Sequence, residues 1–259
     1  MGILNVTPDS FSDGGSYSSP RDAANKAVEM EKAGAAIIDI GGESSRPGSK
    51  AVSAEEQQAR VVPVIQAIRE RTQVPISIDT CTPEVAEAAV TAGAGMINSI
   101  DGMESPGMAE LAVSMGLPVV IMHKKGAPET MQTNPFYGDA PAEIGHYLLF
   151  RVEALVKAGI PREMILVDPG IGFGKRLEDN LVLIRSLEWI GFLTGCRVLL
   201  GHSRKSFFKG IAGIDQADRR DSVTHIVTVM SDGADMVRVH DVQGTAAALK
   251  VSAALWRTL

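Results

Sequence analysis

The sequence predicts an α/β protein of the (β/α)8 TIM-barrel class, folded as one domain over residues 1–259. Three observations lead there. Short runs of aliphatic and β-branched residues recur eight times, and segments with helical spacing separate them. The runs are also continuous rather than alternating apolar with polar, as parallel strands buried on both faces require. A doubly wound open sheet is the rival arrangement, but it usually has fewer strands and a topological switch point.

Taken in order, the first run is Met1–Asn5 and the second is Ala36–Ile40, reached through Ala33-Gly34, the pattern of a helix ending on a glycine cap. Ser53 ahead of Ala54-Glu55-Glu56 reads as a capping box. Val61, Ile65 and Ile68 then fall on one face of the helix it opens. The third run is Pro75–Asp79; after it, Thr82-Pro83-Glu84 places proline at a first helical position. Ala92-Gly93 ends that helix before Met96–Ser99, and Pro118–Met122 is the fifth run. Ala158-Gly159 precedes Met164–Asp168. Leu181, Ile184 and Leu187 trace a helix face ahead of Arg197–Gly201, and Asp232-Gly233 leads into the last run, Met236–Val239. Stretches rich in proline and glycine are short and lie between strand and helix, so no linker divides the chain.

Composition narrows the function classes. The 259 residues carry a formal net charge of −6, with 45% hydrophobic and 22% charged residues, the balance of a globular protein. A chain of this size buries roughly three quarters of its unfolded surface and needs no metal or disulfide staple. Its mild acidity argues against duplex nucleic acid as a partner. No run of roughly 18 or more apolar residues is present, so no membrane span is expected. Cys81 and Cys196 form neither a C-x-x-C pair nor a zinc spacing, which fits a reducing, cytoplasmic setting.

The chemistry sits where the strands end. In a barrel of this class the active face is built at the C-terminal strand ends and the loops after them. Here those positions read Asn5, Asp39, Asp79, Asn98, His123, Asp168, Ser203 with Arg204 and Lys205, then Arg238 and His240. Polar groups at a buried mouth cost free energy unless paired, so one on nearly every strand points to a binding site. Asp79, Asn98 and Asp168 would supply mainly acceptor oxygens along one wall. A carboxylate facing two adjacent N–H groups makes a bidentate pair, and the small molecules with that edge are 2-amino-4-oxo heterocycles, guanine and pterins. For Asp79 taken alone, capping of the helix at Pro83 is an equal reading.

Three loops are long and rich in Gly, Ser and Pro: 5–15, 41–48 and 168–175. Glycines let backbone approach a ligand, and long βα loops act as lids or binding loops. Gly170-x-Gly172-x-Gly174-Lys175 matches neither the nucleotide P-loop frame nor the dinucleotide fingerprint. Ser203-Arg204-Lys205-Ser206, with Arg238 and His240 two apart on the last run, could clamp a phosphate or diphosphate. Ordinary capping with a solvated basic turn is the bland alternative.

These loops, together with Ile78-Asp79-Thr80, Ile97-Asn98-Ser99, Ile121-Met122-His123, Ser203-Arg204-Lys205-Ser206-Phe207 and Arg238-Val239-His240-Asp241, make the sequence resemble the bacterial dihydropteroate synthases from end to end. The resemblance implies condensation of 6-hydroxymethyl-7,8-dihydropterin diphosphate with 4-aminobenzoate to 7,8-dihydropteroate and diphosphate. It implies that Asp79, Asn98, Met122, Asp168 and Lys205 hold the pterin. Asn5 would help bind Mg²⁺ beside the diphosphate, whose oxygens Arg46, Arg238 and His240 contact. Phe11, Ser45, Pro47, Phe173 and Ser206 would form the aminobenzoate subsite, where sulfonamides also bind in this family. Asp13 and Arg46 would arrive on the first two loops and act with Lys205, Arg238 and His240 in catalysis. A homodimer through the later helices is implied too, and the apolar positions Ala246, Ala247, Leu249 and Ala254 permit it.

Two departures from the family pattern stand out. Lys124 follows His123 where the family commonly has methionine, and Lys124 and Lys125 read as solvated loop charge. Members also usually carry a short segment ahead of the first strand, without which the barrel floor would be more open. A pterin-binding corrinoid methyltransferase and a catalytically silent paralogue are the alternatives. Neither needs the Ser203–Phe207 corner. His146 and His225 read as surface or packing histidines, Trp189 and Trp256 as packing residues, and Met96, Met103 and Met108 as adaptable core. Cys81, at a helix start, could have a lowered thiol pKa, but no partner base is visible and it reads as structural.

Overall fold

The computed structural model describes residues 1–7, 19–44, 52–127, 130–214, 216 and 220–256. Among the described residues, eight strands form one parallel sheet in the order of the chain: β1 Gly2–Asn5, β2 Ile38–Gly41, β3 Ile76–Asp79, β4 Met96–Ser99, β5 Val119–Met122, β6 Ile165–Asp168, β7 Arg197–Leu200 and β8 Met236–Val237. The sheet curls until its edges meet. Ile3 N–H donates to Val239 O at 2.9 Å and Val239 N–H to Met1 O at 3.0 Å, giving a barrel-like arrangement. Every strand except β4 is shorter than its apolar run, and the last shrinks to two residues, with Val239 beyond it joined to β1 by an isolated bridge.

The helices on the outside follow the strands: α1 Pro20–Ala33, α2 Ala54–Arg69, α3 Pro83–Ala92, α4 Met108–Met115, α5 Ala140–Ala158, α6 Leu177–Arg185, α7 Leu187–Thr194, α8 Phe207–Ala212, α9 Asp221–Met230 and α10 Val242–Trp256. Ser53 caps α2 by accepting from Glu56 N–H at 3.2 Å. Gly34, Gly93 and Gly159 cap their helices as expected, but α9 already ends at Met230, so Gly233 lies in the turn beyond a cap at Ser231. Val61, Ile65 and Ile68 are fully buried. The face expected from Leu181, Ile184 and Leu187 is shifted: a break at Ser186 starts a new helix, and Leu181 is exposed while Leu183, Leu187 and Ile190 are buried.

Side chains on successive strand residues point to opposite faces. One parity packs outward against the helices in the main core, which includes Leu4, Ile38, Ile40, Ile78, Ile97 and Ile121. The other parity faces inward, where Met1, Met96, Val120, Leu166 and Leu199 form a second buried cluster with Ile37 and Met236 against it. Two residues further along the same faces stand Asp39, Asn98, Met122, Asp168 and Arg238. An apolar plug therefore fills the floor of the sheet, and the polar residues sit directly above it. A cavity of about 560 Å³ opens at the opposite end, among residues such as Ile37, Pro75, Met96, Pro118 and Met236. It lies below the plug, away from the polar mouth.

Trp189 packs over Gly145, where an added Cβ would meet its ring at 2.5 Å. Trp256, by contrast, is largely exposed on α10 and packs little. Met96, Met103 and Met108 are buried. Among the described residues, no helix is long and apolar enough to cross a membrane.

Candidate active site

Register assembles the acceptor wall. Asn5 pairs with Gly41, Gly41 with Asp79 and Asp79 with Asn98, while Met122 pairs with Asp168 across the next interface. These residues thus meet around one mouth although they lie far apart in sequence. Asp168 is buried; its Oδ1 accepts from Gly170 N–H at 2.7 Å, which fixes the carboxylate. Gly201 leaves room beside it, since a Cβ there would approach Asp168 Oδ2 to 3.1 Å. Burial raises the Asp168 pKa, opposed by the Gly170 N–H and by Lys205.

Arg238 crosses the mouth. Its Nε donates to Asp39 Oδ2 at 2.6 Å and its Nη2 to Asp79 Oδ2 at 2.7 Å. Two of the five guanidinium donors are used in this way. Burial alone would lower the Arg238 pKa, but Asp39 and Asp79 outweigh it and the net shift is upward. Burial pushes Asp79 up to about 7, with Arg238 opposing and Asp39 adding to the shift. One carboxyl of this cluster is therefore close to protonation at neutral pH.

The loop after β6 is held by a buried lysine. Lys175 Nζ donates to His123 O at 3.3 Å and Phe173 O at 3.0 Å and lies 3.1 Å from His123 Nδ1. Burial lowers Lys175 to about 7 and His123 to about 3, so the His123 imidazole is neutral there. Phe173, fixed by this anchor, lies under Lys205, whose Nζ is 3.9 Å from the ring centroid. On the other side of the mouth, Ser203 Oγ contacts His240 Nδ1 at 2.9 Å and accepts from His240 backbone N–H at 3.2 Å. A hydroxyl that donates to Nδ1 leaves the imidazole proton on Nε2.

The comparisons decide the family. Residues 1–240 match the model of the family described as "Pterin binding enzyme". The chain is 46% identical over 253 residues to the dihydropteroate synthase of Escherichia coli K12, covering 97% of this chain and 89% of that protein. It is 44% identical to the enzyme of the same name from Synechocystis, covering 99% and 90%. The chain belongs to the dihydropteroate synthase family. Among solved members, the Yersinia pestis dihydropteroate synthase with a sulfonamide drug superposes with a TM-score of 0.93 at 41% identity, covering 100% of this chain and 94% of that one. The Xanthomonas albilineans dihydropteroate synthase with 4-aminobenzoic acid superposes with a TM-score of 0.92 at 41% identity, covering 99% and 92%.

Of the residues that the synthase resemblance nominates, Asn5, Asp79, Asn98, Met122, Asp168, Phe173, Lys205, Arg238 and His240 lie at this end of the sheet, and Ser206 is exposed at the start of α8. Phe11, Asp13, Ser45, Arg46 and Pro47 lie outside the described residues. Arg204 turns away from the basic corner: its φ is +57° and it forms a two-bond ion pair with Asp221 at 2.8 and 2.6 Å. Sequence reasoning assigned no task to Asp39 or Lys175. Asp39 was visible as a charged residue inside an apolar run, whereas nothing local marks the burial of Lys175.

The smaller expectations are met in part, and Cys81 stays a structural residue. Burial pushes the Cys81 thiol up to about 12, so the helix start does not activate it. His225 is half-buried as a packing histidine, its Nε2 3.0 Å from Asp241 Oδ2, where α9 meets the start of α10. Lys125 is exposed, yet its Nζ donates to Phe136 O at 2.6 Å and lies 4.2 Å from the Tyr137 ring centroid. Lys124 is half-buried rather than fully solvated.

Proposed function

We propose that this chain is a dihydropteroate synthase that joins 6-hydroxymethyl-7,8-dihydropterin diphosphate to 4-aminobenzoate, giving 7,8-dihydropteroate and diphosphate. The observation that carries the reading is the mouth itself, where a wall of Asp79, Asn98 and Asp168 stands beside a corner of Lys205, Arg238 and His240. We read the curled sheet as a closed (β/α)8 TIM barrel and the chain as one pterin-binding domain, working in the cytoplasm.

Asp168, fixed by Gly170, offers its second oxygen to the N–H edge of the pterin, with Asp79 and Asn98 completing the acceptor set and Met122 packing below. The dihydropterin ring is electron-rich and stabilises a cation on the attached CH₂, so C–O cleavage runs ahead of attack. Carboxylates close to the ring favour that developing positive charge. Arg238 and His240 meet the oxygens of the departing diphosphate, with Arg46 and Asp13 brought by the first two loops. The neutral amine of 4-aminobenzoate attacks from a subsite of Phe11, Ser45, Pro47, Phe173 and Ser206. Phe173 is held for this by Lys175 and covered by Lys205. No covalent enzyme intermediate and no strong general base are needed.

The donor set suits Mg²⁺ in one form only. Among the described residues no three His, Cys, Asp or Glu side chains cluster as a metal cage, while Asn5 offers a hard amide oxygen at the end of β1. That fits an ion bound mostly by water and diphosphate. Asn5 would hold it, and Mg²⁺ would neutralise charge on the leaving group.

A homodimer is supported by the outer faces of α9 and α10, where Ile226, Met230, Val251 and Leu255 are exposed. The relatives found are synthases, and methyl transfer to cobalt or silent pterin binding gives the Ser203–His240 corner no task, so neither alternative is retained. One assay tests the reading: diphosphate release from the pterin substrate should require 4-aminobenzoate. Release that ignores the amine, or none at all, would refute it.

A further inference from the structure

Asp39 is fully buried on β2 and holds two site residues with one oxygen. Its Oδ2 accepts from Arg238 Nε at 2.6 Å and from Asn98 Nδ2 at 3.1 Å. Its Oδ1 is buried and has no hydrogen-bond partner among the described residues. A buried carboxylate with an idle oxygen is a poor choice for stability alone, because each unsatisfied buried polar atom is costly. What it achieves is orientation. A carboxylate oxygen accepts and does not donate, so Asn98 must turn its NH₂ toward Asp39. The Asn98 amide oxygen then faces away from that bond, and Asn98 stands in register beside Asp79 at the strand ends.

We propose that Asp39 is a positioning residue for pterin recognition: by taking the Asn98 NH₂ it locks that amide with its oxygen toward the ligand, so that the wall reads N–H groups. Arg238 balances the buried charge that does this. An amide free to flip presents a donor or an acceptor with the same shape and reads neither. A site built to pair a ligand N–H rejects analogues that lack it by large factors, which is the selectivity a fixed amide provides. The inference rests on the proposed function, since it assigns Asp39 a part in binding that substrate.

The test is a double-mutant cycle on the full chain with D39N, N98A and the pair, using dihydropterin as the probe in calorimetry and steady-state kinetics with both substrates. D39N is expected to weaken dihydropterin binding by about 10-fold or more and to raise KM for the pterin diphosphate, with KM for 4-aminobenzoate unchanged. In the N98A background the same change should cost at least about threefold less. D39E, which keeps the charge on a longer arm, should recover part of what D39N loses. Additive losses in the double variant, or equal losses for both substrates, would overturn the proposal. Thermal unfolding reports whether each variant folds, and D39S takes the place of D39N in the cycle if D39N does not. A wild-type chain that neither binds dihydropterin nor releases diphosphate would instead remove the proposed function.

Discussion

Asp168 and Asp79 carry the sharpest consequences at the scale of single residues. Asp168→Asn replaces one acceptor by a donor against the N–H edge of the pterin. Dihydropterin affinity should fall by about 10- to 100-fold in calorimetry, and unchanged binding would take Asp168 out of the pocket. Asp79 predicts a pH dependence. Its pKa in the folded chain is raised to about 7 from an ordinary 3.8, so the folded state keeps a proton that the unfolded state releases. The resulting stabilisation is full below about pH 4 and is lost as pH rises through about 7. Urea midpoints of wild type against Asp79→Asn at about pH 5 and about pH 8 should therefore diverge, with the variant gaining relative stability at the higher pH. Pterin affinity through Asp79 runs the other way, rising with pH as the carboxylate forms. The acceptor wall was legible in sequence because its members stand at or beside the end of an apolar run.

At the scale of elements, the loop after β6 depends on backbone that only glycine supplies. Gly170 has φ +69°, and a Cβ there would come within 1.9 Å of His123 O, backbone that cannot move aside cheaply. Gly170→Ala should cost about 2–4 kcal/mol in urea unfolding and reduce turnover, because the same loop carries Phe173. A loss confined to stability, with kinetics intact in the folded fraction, would separate the loop from the chemistry. On α2, Ile65→Ala removes a fully buried side chain and should cost about 2–5 kcal/mol in the same measurement with little effect on KM. The α2 face was readable from spacing alone. The α6–α7 face was not, because the break at Ser186 resets the helical phase and leaves Leu181 outside.

The whole molecule adds a question of assembly. Helices α9 and α10 pack together yet leave Ile226 at 56%, Met230 at 74%, Val251 at 60% and Leu255 at 68% exposure. Apolar side chains this open on adjoining helices suit a second copy of the chain. Light scattering with sizing chromatography should give a dimer for wild type and a monomer for Met230→Glu combined with Val251→Glu. A monomeric wild type would refute the homodimer. The mouth lies at the strand ends rather than on these outer helix faces, so the monomer should keep dihydropterin affinity.

The sequence by itself determined the eight βα units, the helix caps at Ser53, Gly34, Gly93 and Gly159, and the polar residues at or near most strand ends, because period, cap chemistry and residue type are local signals. The tertiary structure alone decided how those residues pair. Arg238 finds Asp39 and Asp79 across 199 and 159 positions of chain, and Lys175 reaches His123 across 52. Such contacts follow from how the curled sheet brings strand ends and their loops together, and nothing near any one residue encodes that. The same holds for Arg204, which a positive φ turns away from the mouth toward Asp221.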